Sequence, residues 1–300
     1  MPTRRHVLCL VAFAAMFAGF PALAQSKISV VATFSIMADL VSNVGGDRVE
    51  VTALVGPNSD SHVFSPTPAD AKKLAAAKVV FVNGLGLEGW MTRLVSASGS
   101  QAQAFVASTG IKTRKMEDDH HPGRMVTDPH AWQSIANAKI YVANIRDGLS
   151  KADPPGKSVY EANAKAYLAK LEALEQEVKA AIGKIPADHR RIITTHDAFG
   201  YFGGAYGMAF ISPEGVSTDA EPSAKDVAKI IAQIRKQKIP AVFMENITDP
   251  RLMQQIAKET GAKIGGTLYS DALSDTKGPA ATYIDMMRSN INELSKALAP

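Results

Sequence analysis

The sequence predicts an α/β protein of two βα lobes with parallel sheets, joined by one long bridging α-helix. Three observations carry this expectation. Short β-rich apolar runs alternate with helix-periodic segments from Lys27 onward, the pattern of strands crossed over by helices in a parallel sheet. The alternation gives way to helical patterning at about Ile135 and starts again at Arg190. Between the two stretches lies the longest periodic segment of the chain, Lys157 to Pro186.

The amino terminus stands apart from the fold. "MPTRRHVLCLVAFAAMFAGFPALAQ" carries Arg4 and Arg5, an uncharged apolar run from Val7 to Phe20, and an Ala22-Leu23-Ala24 cleavage pattern. That is an export signal over residues 1–24, with mature protein starting at Gln25. The arginine pair fits the positive end of either general or twin-arginine export. No later segment offers about 18 consecutive apolar residues, so the mature chain is expected to be exported and soluble. Cys9 is the one cysteine and falls within the signal. The mature chain therefore has no disulfide and no thiolate, and any metal site must use His, Asp and Glu. Removing Arg4 and Arg5 leaves 31 basic against 29 acidic residues, a formal net of +2, which is no footprint for nucleic acid.

The first lobe, residues 25–152, reads in order as strand "KISVVATFS", helix "IMADLVSNV", strand "VEVTALV", helix "PADAKKLAAA", strand "VVFVNG", helix "LEGWMTRLVSAS" and strand "QAFVAST". A charged loop, "GIKTRKMEDDHHPGRMVTDPH", follows and is the longest irregular stretch. The bridging element spans 153–187. Its apolar residues Tyr160, Ala164, Tyr167, Leu171, Leu174, Val178, Ile182 and Ile185 are spaced three or four apart, as one helical face requires. A helix from Lys157 to Lys184 spans roughly 40 Å at about 1.5 Å per residue. The second lobe, 188–300, reads as strand "RRIITTH", helix "AFGYFGGAYG", strand "MAFIS", helix "SAKDVAKIIAQIRKQKI", strand "AVFMEN", helix "DPRLMQQIAKETG", strand "KIGGTLYSD" and a last helix from Tyr283 to Leu298.

In open parallel sheets, ligands bind beyond the carboxyl ends of the strands. His62 lies past "VEVTALV" in a loop with two prolines, closed by Thr67 as helix cap, Pro68 as first helical residue and Asp70 as reciprocal partner. His130 leaves the long loop, and His196 and Asp271 each end a predicted strand. Each has an ordinary alternative taken alone: a loop histidine is commonly just solvated, and Asp271 or Asp197 could cap the segment that follows. Together, three imidazoles and one carboxylate make a complete four-coordinate shell for zinc. Their spacing forms no local metal-ligand signature.

The motifs "SDSHVFSPTPAD", "DPHAW", "TTHDAFGYFGGAYG", "DAEPSAKD", "FMEN" and "LYSDALS" together resemble the TroA-like zinc and manganese solute-binding proteins of cluster A-I ABC transporters. The resemblance runs from about Lys27 to the carboxyl terminus and keeps the order of motifs. It implies a metal held in the cleft between the lobes by His62, His130, His196 and Asp271. It also implies a monomeric periplasmic receptor, not an enzyme, that delivers its ion to an inner-membrane ABC permease driven by a cytoplasmic ATPase.

For the metal, a third imidazole at His196, where manganese-selective relatives commonly carry glutamate, favours Zn2+. A bidentate Asp271 keeps Mn2+, or mixed use, as the alternative. His120 and His121 read either as a shortened metal-capture loop or as a solvated pair. His189 reads as a surface residue. Glu245 either orients a ligand imidazole or caps a turn. Phe199, Tyr201, Phe202, Tyr206 and Trp132 either wall the site or belong to the core. The competing class is a secreted zinc hydrolase, which needs three protein ligands and an open position for water. The chain has no H-E-x-x-H and no G-x-S-x-G. A receptor for an organic solute, bonded directly by the histidines, is the third possibility.

Overall fold

The computed structural model describes residues 27–117, 123–215, 217–219 and 222–299. The export signal and the pair His120 and His121 lie outside the described residues. Two four-stranded parallel sheets dominate. The first contains β1 (Ile28–Phe34), β2 (Val49–Val55), β3 (Val79–Val82) and β4 (Gln103–Val106) in the order β2-β1-β3-β4, interleaved with α1 (Ser35–Gly45), α2 (Pro68–Ala76) and α3 (Met91–Ser98). β1 is buried through its last five residues because helices cover both faces of the sheet.

The expected irregular loop contains a short antiparallel ladder instead. β5 (Lys115–Glu117) pairs with β6 (Met125–Thr127). Three alternating residues per strand are enough for a ladder here, but too few to stand out against the surrounding charge.

α4 (Ile135–Ala152) then leads into α5 (Lys157–Gly183), the bridging helix of 27 residues. Every apolar position expected on one face of it is buried, Ile185 lying just past the end of the helix. Asp153 pins its start by accepting from Arg48 Nη2 at 2.7 Å and from Tyr160 Oη at 2.6 Å. α5 packs on α1 and α4 from the first half and on α6 and α9 from the second.

The second sheet contains β7 (Arg191–Ile193), β8 (Ala209–Ile211), β9 (Ala241–Glu245) and β10 (Lys263–Leu268), ordered β10-β9-β7-β8, with α6 (Gly200–Tyr206), α7 (Ala224–Gln237), α8 (Arg251–Thr260) and α9 (Tyr283–Leu298). Counted from its own first strand, each sheet has the same order, second-first-third-fourth. Each therefore reverses direction between its first and third strands, which is where a doubly wound sheet opens a ligand crevice.

The strands of the second sheet end earlier than the sequence suggests. His196 and Asp271 each lie three residues beyond the last residue of their strand. The amides of Thr195 and His196 leave the ladder for the side chain of Glu245, at 2.8 and 2.9 Å. Asn290 takes both the N–H and the C=O of Tyr269, each at 2.8 Å. Side chains thus satisfy the backbone that the sheet releases. A register shift in β10 falls at Gly265-Gly266, where Gly266 has φ +115° and the Phe243 ring leaves no room for a Cβ on Gly265.

The main core is continuous across the two halves: Val30, Phe34 and Trp132 belong to the same buried cluster as Leu268, Leu273, Tyr283 and Met286. A smaller cluster of Ile193, Ile230, Ile234, Val242, Met253 and Ile256 serves the outer part of the second half.

Candidate metal centre

His62 sits in the loop between β2 and α2. The loop's far end is fixed by the expected cap: Thr67 N–H donates to Asp70 Oδ2 at 2.9 Å, and Asp70 N–H donates to Thr67 Oγ1 at 3.4 Å. Nearer the histidine, the Ser61 carbonyl accepts from Trp90 Nε1 at 3.0 Å. Asp60 Oδ1 accepts from the His62 amide at 2.8 Å, a local Asx turn, while its Oδ2 accepts from Thr218 Oγ1 in the second half.

His130 follows β6 and is held from behind. Asp128 Oδ1 lies 2.9 Å from both the amide and Nδ1 of His130. A carboxylate at Nδ1 makes that nitrogen the protonated one and turns Nε2 to the cluster as an acceptor. Arg114 Nη1 donates to the other oxygen of Asp128 at 2.8 Å. Gly200 makes room for this arginine, since a Cβ there would lie 1.2 Å from Arg114 Nη1. Tyr201 Oη accepts from the Arg114 amide at 3.0 Å and donates to the Asp128 carbonyl at 3.2 Å.

His196 has its own carboxylate. Glu245 Oε2 lies 2.6 Å from His196 Nδ1, off the hydrogen-bond axis, so neither atom has an aligned partner. The carboxylate is nevertheless anchored to the loop, because Oε1 takes the two backbone amides described above. Of the two readings of Glu245, the one beside a histidine is what the geometry supports.

The four side chains predicted from sequence meet at one point. Asp271 Oδ2 lies 2.9 Å from His62 Nε2, 3.3 Å from His196 Nε2 and 3.6 Å from His130 Nε2. His62 Nε2 and His130 Nε2 are 3.1 Å apart. The four potential ligand atoms all fall within 4.8 Å of one another. A tetrahedral ion with ligands at about 2.0–2.1 Å separates neighbouring ligand atoms by about 3.3 Å, so the spacing fits. His130, His196 and Asp271 are fully buried, and only His62 reaches a cleft of about 650 Å³, lined by Leu87, Thr127, Pro129, Ser217 and Asp219.

Both oxygens of Asp271 are buried with no hydrogen-bond partner, as is His196 Nε2. A carboxylate in that position is expensive unless protons or a cation meet it. Burial opposes a charge on His130, but Asp271 and Asp128 outweigh it and raise its pKa from 6.5 to about 9. For His196, burial is likewise outweighed by Glu245 and Asp271, and its pKa is pushed well up. Burial opposes the charge of Asp271 too, yet the two imidazoles hold its carboxyl well below the usual range. The three carboxylates in contact with the imidazoles, Asp128, Glu245 and Asp271, and the guanidinium of Arg114 sum to two negative charges when the imidazoles are neutral, with Asp197 close enough to add to that field. One divalent cation, or two protons, balances them.

Residues 30–297 match the family described as zinc-uptake complex component A, periplasmic (ZnuA). The chain belongs to this family. Among relatives of the ZnuA family, the iron-binding protein YfeA of Yersinia pestis is 33% identical over 287 residues, covering 96% of this chain and 91% of that one. The periplasmic zinc-binding protein TroA of Treponema pallidum superposes with a TM-score of 0.85 at 30% identity, covering 92% of this chain and all of that one. The Mn-bound periplasmic metal-binding protein of Candidatus Liberibacter asiaticus gives a TM-score of 0.80 at 31% identity, covering 90% and 99%. The family is one of transport receptors, exported from the cytoplasm, and its members' names include zinc, manganese and iron.

Other residues marked in the sequence separate cleanly against this ZnuA-type frame. Phe199, Tyr201, Phe202 and Tyr206 are core, with Phe199 stacked on Phe210 at 5.0 Å. Trp132 is both: it packs on Phe34 at 4.9 Å and lies 5.3 Å from the His130 ring. His189 is away from the centre, with Nδ1 2.9 Å from the Leu298 carbonyl. Neither Asp197 nor Asp271 caps a helix, since α6 starts after Phe199 and α9 after Thr282. Asp128, Arg114 and Asp60 were not candidates in the sequence. Asp60 and Asp128 share a local signal, since an acid two residues before a histidine is placed for an Asx turn, and Arg114 had none.

Proposed function

We propose that this protein is the periplasmic receptor of an ABC importer, holding one divalent cation, Zn2+ in preference to Mn2+, through His62, His130, His196 and Asp271. The observation that carries the reading is the buried convergence of three Nε2 atoms on Asp271 Oδ2, a carboxylate oxygen with no hydrogen-bond partner. Zn2+ is favoured because imidazole suits zinc and carboxylate suits manganese, and because manganese binds most weakly to a given N/O set. Mn2+ is the alternative, with Asp271 using both oxygens. Four protein ligands leave no open position for a reactive water, which argues against a zinc hydrolase.

In this reading the signal is cut after Ala24. Lobes of 25–152 and 188–300 flank a bridge of 153–187, and the monomer passes its ion to an inner-membrane permease with a cytoplasmic ATPase. The continuous core supports short movements of loops over wide hinge closure during release. Calorimetry on metal-stripped mature chain tests the assignment. One equivalent of Zn2+ should bind more tightly than Mn2+ or Fe2+. Binding of none of the three would end the receptor reading, and tighter Mn2+ binding would reverse the preference.

A further inference from the structure

Asp271 differs from the two buried histidines in how it is aimed. His130 and His196 each have a carboxylate behind the ring, whereas neither oxygen of Asp271 has a hydrogen-bond partner. Its direction must therefore come from its backbone. The residue before it, Ser270, presents a carbonyl that accepts from Trp132 Nε1 at 2.9 Å and from Gln133 Nε2 at 2.6 Å. Both donors come from the turn that follows His130, more than 130 residues away in sequence. Trp132, Gln133 and Ser270 are all fully buried. A third bond crosses beside them, with Tyr283 Oη donating to the Trp132 carbonyl at 2.8 Å.

We propose that Trp132 and Gln133 are positioning residues that grip the Ser270 carbonyl, hold Asp271 against His130, and so set how long the ion stays bound. The inference rests on the metal-receptor reading. Two donors fill both lone pairs of one carbonyl, which fixes the direction of the peptide as well as its distance. Because they come from the segment carrying His130, the clamp ties one metal-binding side chain from each half into a single unit. The halves cannot part at the centre without breaking both bonds in a dry interior, where a lost partner is costly. Gln133 Oε1 and Ser270 Oγ are buried without partners, so the glutamine acts here through its donor end alone.

The test uses the mature chain with Gln133→Met, which keeps length and bulk but cannot donate, Trp132→Phe, and Gln133→Glu, which replaces the donor with an acceptor. Zn2+ release to a chelator is followed by stopped flow, and visible spectra are taken with Co2+ in the site. Each loss of donation should raise the release rate roughly five- to tenfold, with Gln133→Glu above Gln133→Met. Association should stay within about twofold, and the Co2+ bands should change intensity as Asp271 shifts. Wild-type release rates in folded Gln133→Met would overturn the clamp. So would faster release accompanied by a fall in metal-free melting temperature and an unchanged Co2+ spectrum, which is packing loss alone. Failure of the wild-type chain to bind either metal would overturn the receptor reading and the clamp with it.

Discussion

The metal centre has a closed wall and an open side. On the wall, His130 and His196 are fully buried, and each has a carboxylate at Nδ1. On the open side, His62 has 6% of its side chain exposed and, among the described residues, no carboxylate behind its ring. Its support is through the backbone, from Asp60 and Trp90. A buried ring with a carboxylate beside Nδ1 is pre-organised and loses little freedom on binding. A ring fixed only through its main chain can turn away while the rest of the site stays in place. On the proposed receptor reading, the wall would supply affinity and the His62 side would be where the ion exchanges.

The largest effect expected is on the wall. Asp271→Ala removes the one ligating charge and leaves two buried imidazoles facing each other, costing about 5 kcal/mol of Zn2+ binding by competition titration. His62→Ala should cost less, about 3 kcal/mol, because water from the cleft can occupy its position. Equal losses would erase the distinction between the two sides. Loading expels protons from His130 and His196, so Zn2+ affinity should fall as pH drops below about 9, by up to about a hundredfold per unit where both are protonated. Calorimetry in buffers of different ionisation heat would count those protons, and a release near zero would contradict the picture of a protonated wall.

The metal-free protein should respond with the opposite sign. The raised pKa of His130 contributes stability that is complete below 6.5 and lost as pH rises through about 9, which melting curves of stripped protein would detect. Glu245→Gln and Asp128→Asn should each weaken binding by about 10- to 100-fold. The smallest changes are expected at His120→Ala and His189→Ala, within about 0.5 kcal/mol. A large loss at His120 would give the exchange side a ligand of its own.

Much of this was legible before any coordinates. The alternation of strand and helix located both sheets, and the spacing of Tyr160 through Ile185 located the bridge. The Thr67–Asp70 box followed from three adjacent residue types, because capping is local chemistry. What sequence could not reach depends on distant partners. β7 and β10 end early because Glu245 and Asn290 take over their amides and carbonyls, and those side chains lie tens of residues away. Glu245 was legible as a strand-end acid that either orients a ligand imidazole or caps a turn, but which histidine it would meet was not. Arg114 and Gln133 gave no signal, since an arginine in a charged loop and a glutamine after a tryptophan look like surface.

The charge balance at the centre reaches beyond it. One divalent ion and two protons neutralise Asp128, Glu245 and Asp271 equally well against Arg114. The loaded receptor and the proton-filled receptor are therefore isoelectric, and their fields at a distance of a Debye length are the same. Electrostatic attraction would draw both to a transporter at equal rates. A transporter that avoids futile cycles on empty receptor must then discriminate after encounter, by shape and not by charge.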